Sequence, residues 1–287
     1  MKSVIVTGGA GFVGSSLIKE LSKNKEIKIL SIDNYSAGTK NNHVISDNVT
    51  YINSHTKQIS NIINKQDANK IDMLFHFGEY SRVEPSLEEI GTAWESNGNG
   101  TFEVLEFCRI NNIKLIYSAS STKFGDDGDN INKSPYAFFK FKNVDLIKNY
   151  NKWYGLNYKI LYFYNVYGPG QIESGNYATA IGIFERQYKS EEPITVVLPG
   201  TQERDFTHVD DIVRGIINSI ESKESEFFLG TGISYRILDV ARMFSDNIIY
   251  LPERKTERMK TSIVVSSDFN WKAKIKLKDY IFNIKNE

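Results

Sequence analysis

A phenol and an ammonium four residues apart, Tyr136 and Lys140 in Ser134-Pro135-Tyr136-Ala137-Phe138-Phe139-Lys140, have the chemistry to move a proton. On a helix, positions i and i+4 share a face one turn apart. An unperturbed tyrosine titrates near pH ~10, too high for a base under neutral conditions. A neighbouring cation favours phenolate and brings the group toward the roughly neutral range that general-base catalysis uses. Surface helices contain this spacing by chance, so its meaning depends on what the rest of the chain builds around it.

The N-terminus supplies that context. Ser3-Val4-Ile5-Val6 reads as a short buried strand and runs into Thr7-Gly8-Gly9-Ala10-Gly11-Phe12-Val13-Gly14, followed by the helical stretch Ser15 to Leu21. Three spaced glycines between a strand and a helix have distinct uses: a tight turn, close approach of backbone N–H groups to a pyrophosphate, and close helix–strand packing. The helix N-terminus adds a partial positive charge for phosphates. A second strand, Ile27 to Ile32, ends in Asp33, nineteen residues after Gly14. An acid at about that spacing accepts hydrogen bonds from the adenosine ribose of a dinucleotide. Its charge repels a 2′-phosphate, so the pattern predicts NAD rather than NADP.

Composition excludes several other classes. The chain has 287 residues, formal net charge zero and 24% charged residues, with no basic footprint for nucleic acid and no polybasic membrane patch. Cys108 is the only cysteine, which excludes a disulfide framework and a cysteine metal site and fits a reducing, cytoplasmic setting. It lies in an apolar helical stretch, where packing is the expected role. No run approaches the ~20 apolar residues of a membrane span. The first residues enter the first strand directly, so no secretory signal is expected.

Strand candidates at Ser3–Thr7, Lys28–Asp33, Val49–Asn53, Asp72–Phe77, Lys114–Ser118 and Tyr158–Phe163 alternate with helical segments near Phe12–Asn24, Gln58–Lys65, Trp94–Asn111 and Tyr136–Tyr154. The alternation predicts an α/β fold, a Rossmann-like doubly wound parallel sheet, with ligands at the carboxyl ends of the strands. Gly125 to Lys133 reads as a polar loop with solvated acids. After Tyr167 the pattern changes to short helices (Ala178–Lys189, Val209–Ser222, Ile237–Phe244) and short strands (Ile194–Val197, Phe227–Leu229). Residues 1–167 are expected to form the dinucleotide-binding domain. Residues 168–287 are expected to form a smaller, mixed α/β substrate lobe, intimately packed on it and interleaved with it, without a flexible linker.

The chain resembles extended short-chain dehydrogenase/reductases of the NAD-dependent nucleotide-sugar epimerase/dehydratase family, over almost its whole length. Thr7 to Gly14 matches the family's Thr-Gly-x-x-Gly-x-x-Gly, and Asp33-Asn34-Tyr35-Ser36-Ala37-Gly38 resembles the Asp-Asn-Leu-Ser-x-Gly of sugar-nucleotide 4-epimerases. His76-Phe77-Gly78 stands at the His-x-Ala position, and Asn97 precedes the Gly100-Thr101 pair. Leu115 to Gly125 resembles the strand end Ser-Ser-Ser-x-x-x-Tyr-Gly, and Tyr164-Asn165-Val166-Tyr167-Gly168-Pro169 resembles Phe-Asn-Val-Tyr-Gly-Pro. Arg204-Asp205-Phe206, Val209-Asp210-Asp211 and Gly230-Thr231-Gly232 follow in family order.

The resemblance implies a catalytic set of Ser120, Tyr136 and Lys140, helped by Thr122. Tyr136 takes a proton from a sugar hydroxyl, Lys140 holds the nicotinamide ribose, and Ser120 hydrogen-bonds the oxygen that becomes a carbonyl. It also implies NAD contacts from Gly8, Gly11, Phe12, Val13, Gly14, Asp33, Asn34, Phe77, Gly78, Asn97, Ser118, Tyr136, Lys140, Tyr164 and Val166. A nucleotide-diphospho-sugar would meet Asn165, Asn176, Arg204 and Arg258, with Arg254 an equal candidate to Arg258. His208 is read as structural and no metal is expected. A homodimer through a four-helix bundle is implied, from the helices at Trp94–Asn111 and Tyr136–Tyr154, whose Phe102, Val104, Leu105, Phe138, Phe141 and Leu146 suit either a core or an interface.

Three positions depart from the family. Asn53-Ser54 replaces the acid that binds the adenine amino group, Tyr162 replaces an Arg, and Glu79-Tyr80-Ser81-Arg82 replaces small apolar residues. Glu79 and Arg82 are expected either to read an unusual sugar substituent or to pair with each other. The Thr-Asp-Glu of sugar 4,6-dehydratases is absent at Ser120-Ser121-Thr122, and Thr122 stands where deoxysugar reductase-epimerases carry Cys. These residues favour C4 epimerisation through a 4-keto sugar, serving surface-polysaccharide or glycan precursors. A nucleotide 4-ketosugar reductase is the alternative, and a non-catalytic dinucleotide-binding regulator a third.

Overall fold

A computed structural model describes residues 1–124, 132–260, 264 and 269–286. Residues 125–131 of the polar loop expected at Gly125 to Lys133 lie outside the described residues. In chain order the strands are β1 (Ser3–Thr7), β2 (Lys28–Asp33), β3 (Val49–Asn53), β4 (Met73–His76), β5 (Lys114–Ser120), β6 (Tyr158–Phe163), β7 (Asn165–Tyr167), β8 (Ile194–Val197), β9 (Glu203–His208), β10 (Glu226–Leu229), β11 (Ser234–Arg236) and β12 (Ile248–Leu251). The helices are α1 (Phe12–Leu21), α2 (Ile59–Ile62), α3 (Lys65–Ala68), α4 (Ile90–Ala93), α5 (Thr101–Ile110), α6 (Pro135–Tyr154), α7 (Ala180–Lys189), α8 (Val209–Ile220), α9 (Ile237–Phe244) and α10 (Leu277–Lys285). None of the described helices is long and apolar enough to cross a membrane.

Seven strands form the central sheet in the order β10-β6-β5-β4-β1-β2-β3, every pair parallel. A parallel sheet is covered on both faces, so its strands read as near-continuous apolar runs. All four residues of β4 are buried, as are Val4 to Thr7 of β1. One face packs Ile5, Leu74, Leu115 and Tyr117 against Val104, Leu105 and Cys108 of α5 and Val144 and Ile147 of α6. The other packs Val4, Val6, Phe75 and Leu161 against Leu17 and Ile18 of α1 and Ile212 and Ile216 of α8. Each fully buried Leu, Ile or Phe contributes roughly 1.5–3 kcal/mol of transfer free energy.

The chain leaves for the second lobe after β6, then returns: α8 covers the first sheet beside α1, and β10 joins its edge against β6. The dinucleotide-type sheet is therefore completed by residues 209–229. The smaller lobe holds β11-β9-β7 and β12-β8, with Phe184, Phe206, Val240, Phe244 and Ile281 in its core.

The helix that carries Tyr136 and Lys140 is defined by local chemistry at both ends. Ser134 caps it by accepting the Ala137 N–H at 3.1 Å, Pro135 occupies the first turn, and Gly155 ends it at φ 74°. The helix expected over Trp94–Asn111 is not uniform: α4 passes through a π-helical segment, Trp94–Gly100, into α5. Such bulges concentrate at functional positions, and this one turns Asn97 into the interior at zero exposure.

Candidate active site

A cleft of about 750 Å³ opens at the carboxyl ends of the central strands, between the sheet and the second lobe. It lies at the switch point between β1 and β4, where chain direction across the sheet reverses. Gly8 follows β1 at φ 71°, and a Cβ there would lie 2.7 Å from the Phe77 carbonyl carbon after β4. A Cβ on Gly14 would meet the Gly8 oxygen at 2.2 Å. Backbone alone can occupy both places, which leaves a cradle of N–H groups at the start of α1. Asp33 ends β2 beside it, and its carboxylate accepts from the backbone N–H of Ala10 at 2.9 Å and of Tyr35 at 2.8 Å. This donor set fits a dinucleotide: an open glycine turn for the pyrophosphate and a fixed acid for the ribose.

Ser120 and Thr122 close the carboxyl end of β5. Their hydroxyls are hydrogen-bonded to each other, and the Thr122 N–H donates to Ser120 Oγ at 3.2 Å. Tyr136 enters the same cleft from the first turn of α6. Its hydroxyl makes no hydrogen bond among the described residues, and its backbone N–H donates to Ser86 Oγ at 3.2 Å. Phenol and hydroxyl pair thus face one space without being bonded to each other, as is common when substrate supplies the bridging oxygen.

Lys140 is held by a partner that the sequence reading did not assign to it. Its ammonium is paired with the Glu79 carboxylate and donates to the Ser118 carbonyl at 2.6 Å, with the two side chains 8% and 1% exposed. Glu79 also accepts from Thr101 Oγ1 at 2.8 Å, Asn143 Nδ2 at 2.8 Å and the Tyr117 hydroxyl at 3.1 Å. Burial works against its ionisation, yet the Lys140 charge and these donors outweigh it and hold the carboxyl below its ordinary range. Behind it, His76 bonds Thr7 Oγ1 at 2.7 Å and Thr101 Oγ1 at 3.0 Å. Burial pushes His76 down to about 4, so it is neutral at pH 7. Glu79, expected among the substrate contacts, instead turns inward as the counter-charge of Lys140, and it does not pair with Arg82.

Asn97, expected at the cofactor, is also placed differently. Its side chain accepts the Tyr80 N–H at 2.6 Å and donates to the Tyr80 carbonyl at 2.9 Å, which pins the segment between Glu79 and Arg82. The remaining cofactor and substrate candidates, including Asn34, Val166, Asn165, Asn176, Arg204 and Arg258, line the cleft, as does Arg254. Arg204 is clamped there by Glu257 and donates to the Arg258 carbonyl at 2.6 Å. Ser54 lines the cleft where the family has its adenine-binding acid. Tyr162 is buried and donates to Glu226 at 2.8 Å, a structural role. His208 caps α8 by accepting the Asp210 N–H at 3.2 Å. No cluster that could hold a metal ion occurs among the described residues.

Comparison with known proteins gives the same answer as the site. Residues 4–229 match the NAD dependent epimerase/dehydratase family. The chain belongs to that family. It is 31% identical to a putative UDP-glucose 4-epimerase of Methanocaldococcus jannaschii, over 99% of this chain and 97% of the relative. The UDP-N-acetylglucosamine 4-epimerase of Methanobrevibacter ruminantium, solved with UDP-N-acetylmuramic acid, superposes with a TM-score of 0.86 at 28% identity, over 99% and 97% of the two chains. The fold is shared with the UDP-glucose 4-epimerase of Thermus thermophilus, solved with NAD, at a TM-score of 0.83 and 22% identity over 99% of both chains. The cofactor of this epimerase/dehydratase family member is NAD, and the glycine cradle with Asp33 is where its residues would hold it.

Proposed function

We propose that the protein is an NAD-dependent nucleotide-sugar epimerase acting at C4 through a transient 4-keto sugar. One observation carries the reading. Tyr136, Ser120 and Thr122 line the cleft beside the dinucleotide cradle, and the described carboxylates that line it are already engaged: Glu79 by Lys140, Glu84 by Thr256, Glu257 by Arg204 and Asp33 by backbone N–H groups. Dehydration of the sugar needs a free acid and base for the neighbouring carbons; oxidation and re-reduction at one carbon needs only a base on the hydroxyl. The 4-epimerase relatives described above support the same position on the ring.

Bound NAD supplies a hydride acceptor that can return the hydride to the opposite face of the ketone. The protein's part is to move a proton and hold the sugar. Tyr136 takes the proton of the 4-hydroxyl as the carbonyl forms and returns it on reduction. Ser120, oriented by Thr122, donates to the same oxygen and lowers the cost of charge developing on it. The Arg204 guanidinium suits the substrate diphosphate, with Asn176 and Arg258 beside it. Turnover of a nucleotide sugar to its C4 epimer without added cofactor tests the reading. A 4-ketosugar reductase, which uses the same set once, would instead consume reduced cofactor in proportion to product.

Two copies are inferred to pair through α5 and α6. Val104 and Leu105 are buried in the core, whereas Trp94, Phe102 and Phe138 remain about half exposed on the outer face, an unusual display for a monomer surface. Sedimentation velocity should give twice the 32.8 kDa chain mass, and a monomer at micromolar concentration would contradict the pairing.

A further inference from the structure

Arg82 is a cation in the cleft with no counter-charge among the described residues. It stands on the segment after β4 that Asn97 fixes through Tyr80. Its Nε is buried and makes no hydrogen bond, and among the described residues no carboxylate pairs with its guanidinium. The guanidinium carbon lies 5.9 Å from the centre of the Tyr177 ring. Burial draws the group below its ordinary titration range, while Tyr136 and Tyr177 lie within electrostatic reach. The carboxylates that line the same cleft are engaged elsewhere. Glu79 is bound to Lys140, Glu84 to Thr256, Glu257 to Arg204, and Asp33 to two backbone N–H groups at the far end. Arg254 adds a second positive charge to the same space, and it works against Arg82.

A partly buried cation without a partner is unfavourable to the extent that its lost hydration is not replaced. A ligand that brings a negative charge removes that cost on binding. The location says which part of the ligand this is. Tyr136 must touch the reacting sugar hydroxyl, and Arg82 lines the same cleft within its electrostatic reach, on the first lobe. The residues suited to the diphosphate, Arg204 and Arg258, belong to the second. Resting on the epimerase reading above, we propose that the substrate's sugar carries a carboxylate, which Arg82 binds and Arg254 attracts. A neutral acylamino or hydroxymethyl group would satisfy one N–H and leave the charge uncompensated, whereas a carboxylate fits the planar fork with two parallel bonds.

Four UDP donors give the test: UDP-glucuronate against UDP-glucose for a carboxylate on C6, and UDP-N-acetylmuramate against UDP-N-acetylglucosamine for one on an ether arm. In wild-type protein, kcat/KM for one acidic donor should exceed that of its neutral counterpart by at least about tenfold, the scale of one charge-assisted pair. Which pair shows the preference locates the carboxylate. Arg82→Met should collapse that ratio toward one, and Arg82→Lys should keep part of it. Calorimetric titration of the same donors into Tyr136→Phe protein, with Arg82 intact or changed to Met, reads the preference as binding where turnover is lost. The proposal is overturned if neither acidic donor is preferred, or if Arg82→Met lowers acidic and neutral donors by the same factor. Turnover of the neutral donors alone overturns the carboxylate and leaves the epimerase reading standing. Turnover and binding of none of the four overturns both.

Discussion

Replacing Tyr136 with Phe is expected to lower kcat by about 10²–10⁴-fold, the usual loss when a positioned proton acceptor is removed. Binding should change little. The phenol oxygen makes no hydrogen bond within the described protein, so its loss exposes no orphaned partner. The ring keeps its place on the first turn of α6, whose cap at Ser134 and close at Gly155 are untouched. Melting temperature and retained NAD should therefore match the wild type, while turnover collapses. This combination separates a chemical role from a structural one. A Tyr136→Phe protein that turns over nucleotide sugar within a few-fold of wild type would remove the proposed base from the mechanism.

The second large effect concerns stability and belongs to Glu79. Glu79→Gln keeps the shape but removes the charge that faces Lys140. The ammonium would then remain buried without a counter-charge, and the single amide oxygen could not accept both from Lys140 and from Thr101, Asn143 and Tyr117 on the other side. Breaking one side of a buried ion pair typically costs about 3–5 kcal/mol, against a total stability of roughly 5–15 kcal/mol. A fall in melting temperature on the order of 10 °C is expected. A double variant, Glu79→Gln with Lys140→Met, should recover part of the loss because no unpaired charge remains. The pH dependence follows from the direction of the shift. The folded carboxyl lies below its ordinary value, near ~4.3 in the unfolded chain. As pH falls through that value the unfolded chain binds the proton first, so the pair's contribution is complete at neutral pH and is lost as pH drops toward the folded value. Glu79→Gln should flatten the acid limb of the stability curve. A variant that melts within about one degree of wild type, with an unchanged acid limb, would show that Glu79 does not support Lys140.

The parts of this architecture that depend on neighbouring residues were readable from sequence. Apolar runs bounded by polar residues placed β1, β2, β3 and β6 at their observed limits, and the glycine spacing with Asp33 located the cradle. The parts that depend on distant partners were not. Phe227–Leu229 was recognisable as a strand, but its pairing with β6 across a whole lobe has no local signature. The π-helical segment at Trp94–Gly100 hides inside an otherwise helical stretch, with Gly98 and Gly100 as the only cue. Glu79 and Lys140 are 61 residues apart. Their pairing had one trace: a carboxylate three residues after the buried His76, where the family has a small residue. A charge carried to the end of a buried strand needs a cation nearby, and Arg82, three residues on, is the nearer candidate in sequence. Arg82 instead has no carboxylate partner among the described residues, which sequence alone could not distinguish from a surface salt bridge.

Proton NMR of a nucleotide sugar incubated with the purified protein in deuterated buffer, with no cofactor added, tests the central claim most directly. The account predicts interconversion of the two C4 epimers. Hydrogen stays on C4 because it leaves and returns as hydride, and no deuterium enters C3 or C5. Release of free ketosugar with stoichiometric consumption of added NADH, loss of water from the sugar, or deuterium at C5 would each contradict it.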